Sequence, residues 1–70
     1  MEMQKPQEAI AAFRYGVEVA PDEELFYYNL ARVYVVIDDR GRARGVLEQL
    51  QARHPESSIA KKGLAELGRQ

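Results

Sequence analysis

Residues 27–37 read Tyr-Tyr-Asn-Leu-Ala-Arg-Val-Tyr-Val-Val-Ile and form the longest apolar helical pattern in the chain. Apolar residues three and four positions apart share one face of a helix, and three such stripes can be traced here. The first consists of Tyr27, Leu30, Ala31 and Tyr34, the second of Leu25, Tyr28, Asn29, Arg32 and Val35 or Val36, and the third of Phe26, Val33 and Ile37. Because a helix that is apolar nearly all round is a buried one, we expect it to lie between two other helices, with one face left over.

Segments with the same helical period flank this helix. The first begins at Pro6, where a missing N–H costs nothing, and ends before Pro21. Its Gly16 indicates close packing, because a glycine inside a helix costs about 1 kcal/mol relative to alanine. Asp22 is the expected N-cap of the central helix.

A polar turn over residues 38–41 is expected to separate the central helix from a third helix, which stops before Pro55 because the residue preceding a proline is pushed out of the helical region. Ser57 or Ser58 is the expected N-cap of a fourth helix. Since no segment alternates with a period of two, the sequence predicts an all-α fold of about four helices.

The composition limits the classes of function. The chain of 70 residues carries 10 basic and 11 acidic side chains and a net charge of −1, so it provides no field for nucleic acid or an anionic membrane. It contains no cysteine, which excludes disulfides and thiol chemistry. No run of residues approaches the length of a membrane span or forms a signal-peptide core. We expect a cytoplasmic protein that contacts neither nucleic acid nor membrane.

The chain partly repeats itself at an offset of 34 residues, a period typical of helix-turn-helix repeats. The matched pairs are Ala9 with Ala43, Phe13 with Leu47 and Pro21 with Pro55. Other pairs, such as Ile10 with Arg44, do not match. The repeat is therefore partial.

Seven positions follow a further spaced pattern, which is Tyr27-x-x-Leu30-Ala31-x-x-Tyr34, Ala43-x-x-x-Leu47 and Pro55. The spacing of these residues resembles the tetratricopeptide repeat. The resemblance implies a single domain over 1–70, built from antiparallel helix pairs of an α–α superhelix. Its parts are the second helix of a partial repeat (6–20), a complete repeat (24–57) and a C-terminal capping helix (58–69).

Two features depart from the pattern that the family shows. Asp38 and Asp39 stand where the family usually has a glycine, and Lys61 and Gly68 stand where aromatic residues are expected. The second departure suggests a terminal capping helix with a polar, solvent-exposed outer face, which repeat arrays need at their ends.

Proteins of this family hold peptide segments or helices of a partner protein on their concave surface, so the resemblance implies a protein–protein interaction module. The partner-binding residues that it implies are Leu25, Tyr28, Asn29, Arg32, Val35 and Val36. Asn29 can bond a peptide backbone and Arg32 can bind a carboxylate. The alternative is that these side chains only pack against neighbouring helices or are solvated.

The first helix suggests a second possibility. In a full array another helix would cover Ile10, Phe13 and Val17, and we expect these side chains to be bare here. Contiguous exposed apolar surface usually marks an interface. The chain would then be a structural self-association unit, such as a homodimer, or a fragment of a longer array.

Catalytic and metal-ligating patterns are missing from the sequence. His54 is the only histidine, and no cysteine or second histidine completes a metal site. The neighbouring carboxylates Glu23 and Glu24 lie at an exposed helix end and do not converge in a cleft. No glycine-rich phosphate loop and no nucleophile elbow occurs. We expect no enzyme activity, no cofactor and no metal ion.

Three arginines near the predicted turn could hold a phosphate group. They are Arg40, Arg42 and Arg44. Acidic residues adjoin them and no aromatic residue is interleaved with them, so a solvated, self-compensated surface is the favoured interpretation.

Overall fold

The computed structural model describes residues 5–68, which form four α-helices and no strand. The helices are α1 (Pro6–Val19), α2 (Glu24–Val36), α3 (Arg40–Arg53) and α4 (Ser58–Gly68). The all-α prediction is confirmed. The predicted turn over 38–41 ends two residues too late, because α3 already begins at Arg40. Short linkers (20–23, 37–39 and 54–57) make consecutive helices antiparallel neighbours.

Helix α2 lies in the middle of the structure. It packs against α1 on one side and α3 on the other, and it also touches α4, which packs mainly against α3. Tyr27 and Val33 are each only 1% exposed, whereas Tyr28 is 41% and Val36 58% exposed. The expectation that this helix is enclosed by two others and keeps one face free is therefore confirmed.

The 34-residue repeat is visible in the backbone of two linkers. Ala20 adopts φ −135° and ψ 68°, and His54, its counterpart, adopts φ −131° and ψ 81°. In both linkers an N–H three residues later donates to the carbonyl of this residue at 2.9 Å, from Glu23 to Ala20 and from Ser57 to His54. The two linkers thus share one conformation, although Ala20 and His54 differ in type.

The turn between α2 and α3 is closed by two aspartates. Asp38 has a positive φ of 64°, its N–H donates to Val35 O at 2.9 Å, and the N–H of Asp39 donates to Tyr34 O at 2.7 Å. These two bonds form a Schellman motif, in which glycine is the usual left-handed residue. Asp39 then caps α3, since its Oδ1 accepts from the N–H of Arg42 at 3.2 Å.

Ser57 caps α4, and it is one of the two serines that were predicted as its N-cap. Its Oγ accepts from the N–H of Ala60 at 3.2 Å and donates to Oε1 of Glu24 at 2.6 Å. Ser57 is only 3% exposed. One hydroxyl therefore both starts α4 and ties it to the first turn of α2.

The predicted capping role of Asp22 is wrong. The N-cap position of α2 is held by Glu23, which makes no side-chain capping bond. Asp22 lies one residue too early, and its Oδ1 instead lies 3.3 Å from both Arg53 Nε and His54 Nε2. The His54 approach lacks hydrogen-bond geometry. Asp22 thereby links the α1–α2 linker to the end of α3.

The close packing predicted for Gly16 is confirmed. A Cβ atom at this position would lie 2.6 Å from Cδ1 of Phe26, well inside van der Waals contact. Gly63 is similar, because a Cβ there would lie 2.6 Å from Cδ1 of Leu47. These glycines let α1 approach α2 and let α4 approach α3.

Candidate functional site

An open groove of about 490 Å³ runs between α2 and α4, with α3 beneath it. The contact between α2 and α4 is the smallest of the helix–helix contacts in the described part of the chain, which leaves this space between them. Helix α2 supplies Tyr28, Ala31, Arg32, Val35 and Val36, α3 supplies Arg40 and Leu47, and α4 supplies Gly63, Glu66 and Leu67.

The floor and the rim of the groove differ in exposure. Leu47 and Ala31 form the floor and are 3% and 4% exposed, so they belong to the core. Along the rim, Val36 is 58% exposed and Tyr28 and Val35 are each 41% exposed. The groove therefore presents apolar side chains to solvent beside a close-packed base.

Three charged side chains line the groove. Cζ of Arg32 lies 5.7 Å from the centroid of the Tyr28 ring, one helical turn earlier, which is within the range of a cation–π contact. Arg40 is the first residue of α3, and Glu66 belongs to α4 on the other side. Among residues 5–68, none of these three side chains has an ion-pair partner within 4.0 Å.

The structure brings four of the six predicted partner-binding residues together, namely Tyr28, Arg32, Val35 and Val36. The other two do not line the groove. Leu25 is 56% exposed but lies about one turn before it, and Asn29 is half-buried outside it. Their proposed roles in partner binding stay predictions.

Sequence reasoning missed the contributions of α3 and α4 to this groove. Arg40 was interpreted as solvated surface, and no binding role was predicted for Glu66; both side chains are exposed. The repeat did indicate a groove position for Glu66, because an offset of 34 residues aligns Glu66 with Arg32. For Arg40 the sequence holds no comparable signal, because its position depends on how α3 crosses beneath α2.

The expectation that Ile10, Phe13 and Val17 are bare is wrong. Ile10 and Phe13 pack partly against the core cluster that contains Leu30, and Val17 packs against the cluster that contains Tyr27. These residues lie on the side of α1 that faces α2, and each is half-buried. The large apolar side chains that α1 does expose are Tyr15, at 65%, and Val19, at 60%.

Other kinds of site were also sought in the structure. No group of three or more His, Cys, Asp or Glu side chains in the described range is placed to hold a metal ion. None of the four helices, as far as they are described, is long and apolar enough to cross a membrane.

The comparison with known families gives one result. The tetratricopeptide repeat model matches residues 1–67, which is nearly the whole chain. No curated protein and no solved structure matches the chain. Tetratricopeptide repeats are typically non-catalytic modules that mediate protein–protein interaction. The chain belongs to the tetratricopeptide repeat family, and it is a helical-repeat module of the protein-interaction type.

Proposed function

We propose that the chain binds a peptide segment or a helix of a partner protein in the groove between α2 and α4. The observation that carries this proposal is the apolar rim formed by Tyr28, Val35 and Val36, of which Val36 is 58% exposed. Exposed apolar side chains grouped along a groove mark interaction sites, since they gain free energy only when a partner covers them.

The floor of the groove supports the same function. Leu47 lies at the base of the groove and packs closely against α4, where Gly63 allows close approach. A groove with a close-packed base keeps its shape without a partner, so a partner loses less free energy in ordering it. Its volume of about 490 Å³ is enough for one or two large side chains of a partner.

The test compares two valines that differ in location but hardly in exposure. Val36 is 58% exposed on the groove rim, and Val19 is 60% exposed on α1, outside the groove. Peptides that bind the chain are first selected from a random display library. Their affinities are then measured for Val36→Glu and Val19→Glu by fluorescence anisotropy, with circular dichroism as the control for folding.

The expected result is asymmetric. Val36→Glu places a carboxylate in the apolar contact and weakens binding at least about tenfold, because an unpaired charge is costly to desolvate. Val19→Glu leaves the affinity within about twofold, a change of less than about 0.5 kcal/mol. Equal loss in both variants, or loss in Val19→Glu alone, refutes the groove as the binding site.

We propose self-association through α1 as a second candidate function. The supporting observation is that Tyr15 and Val19 are exposed one turn apart on this helix, at 65% and 60%. Light scattering and melting at several concentrations test it, because the melting midpoint of a dimer rises with protein concentration. Val19→Glu is the suitable probe, whereas Phe13→Glu would damage the core. A monomeric mass, or a dimer that Val19→Glu does not weaken, refutes the candidate.

A further inference from the structure

We infer that the partner segment is acidic. It presents a side-chain carboxylate to Arg32 and Arg40 beside an aliphatic side chain seated on Val35 and Val36. This inference rests on the proposed function, because it concerns the same groove and specifies the chemistry of its occupant.

The two arginines of the groove are available to a partner. Within the described residues no carboxylate lies within 4.0 Å of either guanidinium, whereas Arg42 and Arg53 lie 3.6 Å and 3.3 Å from the carboxylates of Asp39 and Asp22. A guanidinium without an ion pair can donate two parallel hydrogen bonds to a carboxylate. Arg32 and Arg40 therefore offer positive charge directly beside the apolar rim.

Arg32 is partly ordered in advance. Its guanidinium lies 5.7 Å from the centre of the Tyr28 ring, on the same face of α2. A stacked guanidinium keeps its edge free for hydrogen bonds and loses less conformational entropy when a carboxylate binds. Tyr28 thus supports both the apolar contact and the orientation of the charge.

The location of Arg40 also favours an acidic partner. It is the first residue of α3, where a positive charge meets the positive end of the helix dipole and lowers the stability of the helix. Helix stability therefore does not explain this residue. A carboxylate of a partner would offset the repulsion between Arg40 and the positive end of the helix dipole. The electrostatics at the start of α3 therefore favour an acidic ligand.

The charge of the groove is opposite to that of the chain. Two arginines and one glutamate line the groove, whereas the chain as a whole has a net charge of −1. The glutamate, Glu66, belongs to α4. It repels acid on its own side and so directs the carboxylate of a partner towards α2 and α3.

The test uses three peptide libraries of one design. Aliphatic residues vary at the apolar positions of every library, and the polar positions are fixed as Glu, Gln or Lys. The Glu library should give the tightest binders, by about tenfold over the Lys library, and their affinity should fall as salt is added. The double variant Arg32→Glu and Arg40→Glu should reverse this order and select the Lys library.

Two variants keep the result interpretable. Arg44→Glu makes the same change one turn further along α3, outside the groove, and should leave the order unchanged. Arg40→Glu should melt at or above the temperature of the wild type, because it places an acidic residue in the first turn of α3. Its loss of acidic binders then cannot be attributed to unfolding.

The outcomes separate the two proposals. If the Gln or Lys library binds as tightly as the Glu library and Val36→Glu still weakens binding, the acidic preference is wrong and the groove function stands. A reversal that Arg44→Glu reproduces also overturns the inference, because it shows a response to overall charge. If no library yields a binder, or Val36→Glu weakens none, both proposals fall.

Discussion

Ser57 joins the start of α4 to the start of α2, and its replacement by alanine tests how much of the fold depends on that junction. The hydroxyl accepts from the buried N–H of Ala60 at 3.2 Å and donates to Oε1 of Glu24 at 2.6 Å. Because Ser57 is only 3% exposed, little water can replace the hydroxyl. Ser57→Ala removes both bonds and little apolar volume.

The expected cost follows from the two bonds. Loss of the N-cap costs about 1–2 kcal/mol, towards the upper end because the N–H of Ala60 is left buried without a partner. The bond to the carboxylate of Glu24 adds about 1 kcal/mol, less than the usual value for a charged acceptor because Glu24 is only half-buried and can bind water instead. We expect a loss of about 2–3 kcal/mol, against a total of about 3–5 kcal/mol for a domain of this size.

The assay is urea unfolding followed by far-UV circular dichroism. The neighbouring Ser58→Ala is the matched control, since Ser58 is exposed and should change the free energy of unfolding by less than about 0.5 kcal/mol. A Ser57→Ala variant that is as stable as Ser58→Ala would falsify the assignment of Ser57 as a junction between α2 and α4.

Three further substitutions probe the backbone by the same assay. Asp38→Gly should stabilise the chain by about 0.5–1 kcal/mol, because glycine adopts the positive φ of 64° without strain, and an unchanged stability would contradict this. Gly16→Ala should destabilise it by about 1–2 kcal/mol. The new Cβ would lie 2.6 Å from a ring atom of Phe26, and this clash outweighs the gain in helix propensity. Gly45→Ala should stabilise it by about 0.5–1 kcal/mol, since nothing lies within 4 Å of its Cβ position, and loss of stability there would refute the packing argument.

Much of the fold could be predicted from the sequence because local chemistry and the hydrophobic period agree. Pro6 and Pro55 delimit helices, and the stripe through Tyr27 and Leu30 identifies the buried face of α2. The 34-residue repeat adds the order in which the helices pack. Where several such signals point to one structure, a sequence specifies it strongly.

The errors have a common physical origin. The side of α1 that carries Phe13 looks unpartnered in sequence, but a helix buries its apolar side against whichever neighbour is present, here α2. Asp22 has the chemistry of an N-cap, yet its carboxylate binds the distant end of α3 at Arg53. The groove is lined by residues of three helices, so the pattern of α2 could predict only the residues that α2 contributes.

Two residues break local rules, and both lie at the turn between α2 and α3, next to the groove. Asp38 has a conformation that suits glycine, and Arg40 puts a cation at the positive end of α3. Replacing either should raise stability, but only Arg40 lines the groove. If Asp38→Gly leaves acidic peptide binding intact while Arg40→Glu abolishes it, the cost at Arg40 belongs to partner recognition. If both changes weaken binding equally, the geometry of the turn matters for recognition, and the charge of Arg40 does not.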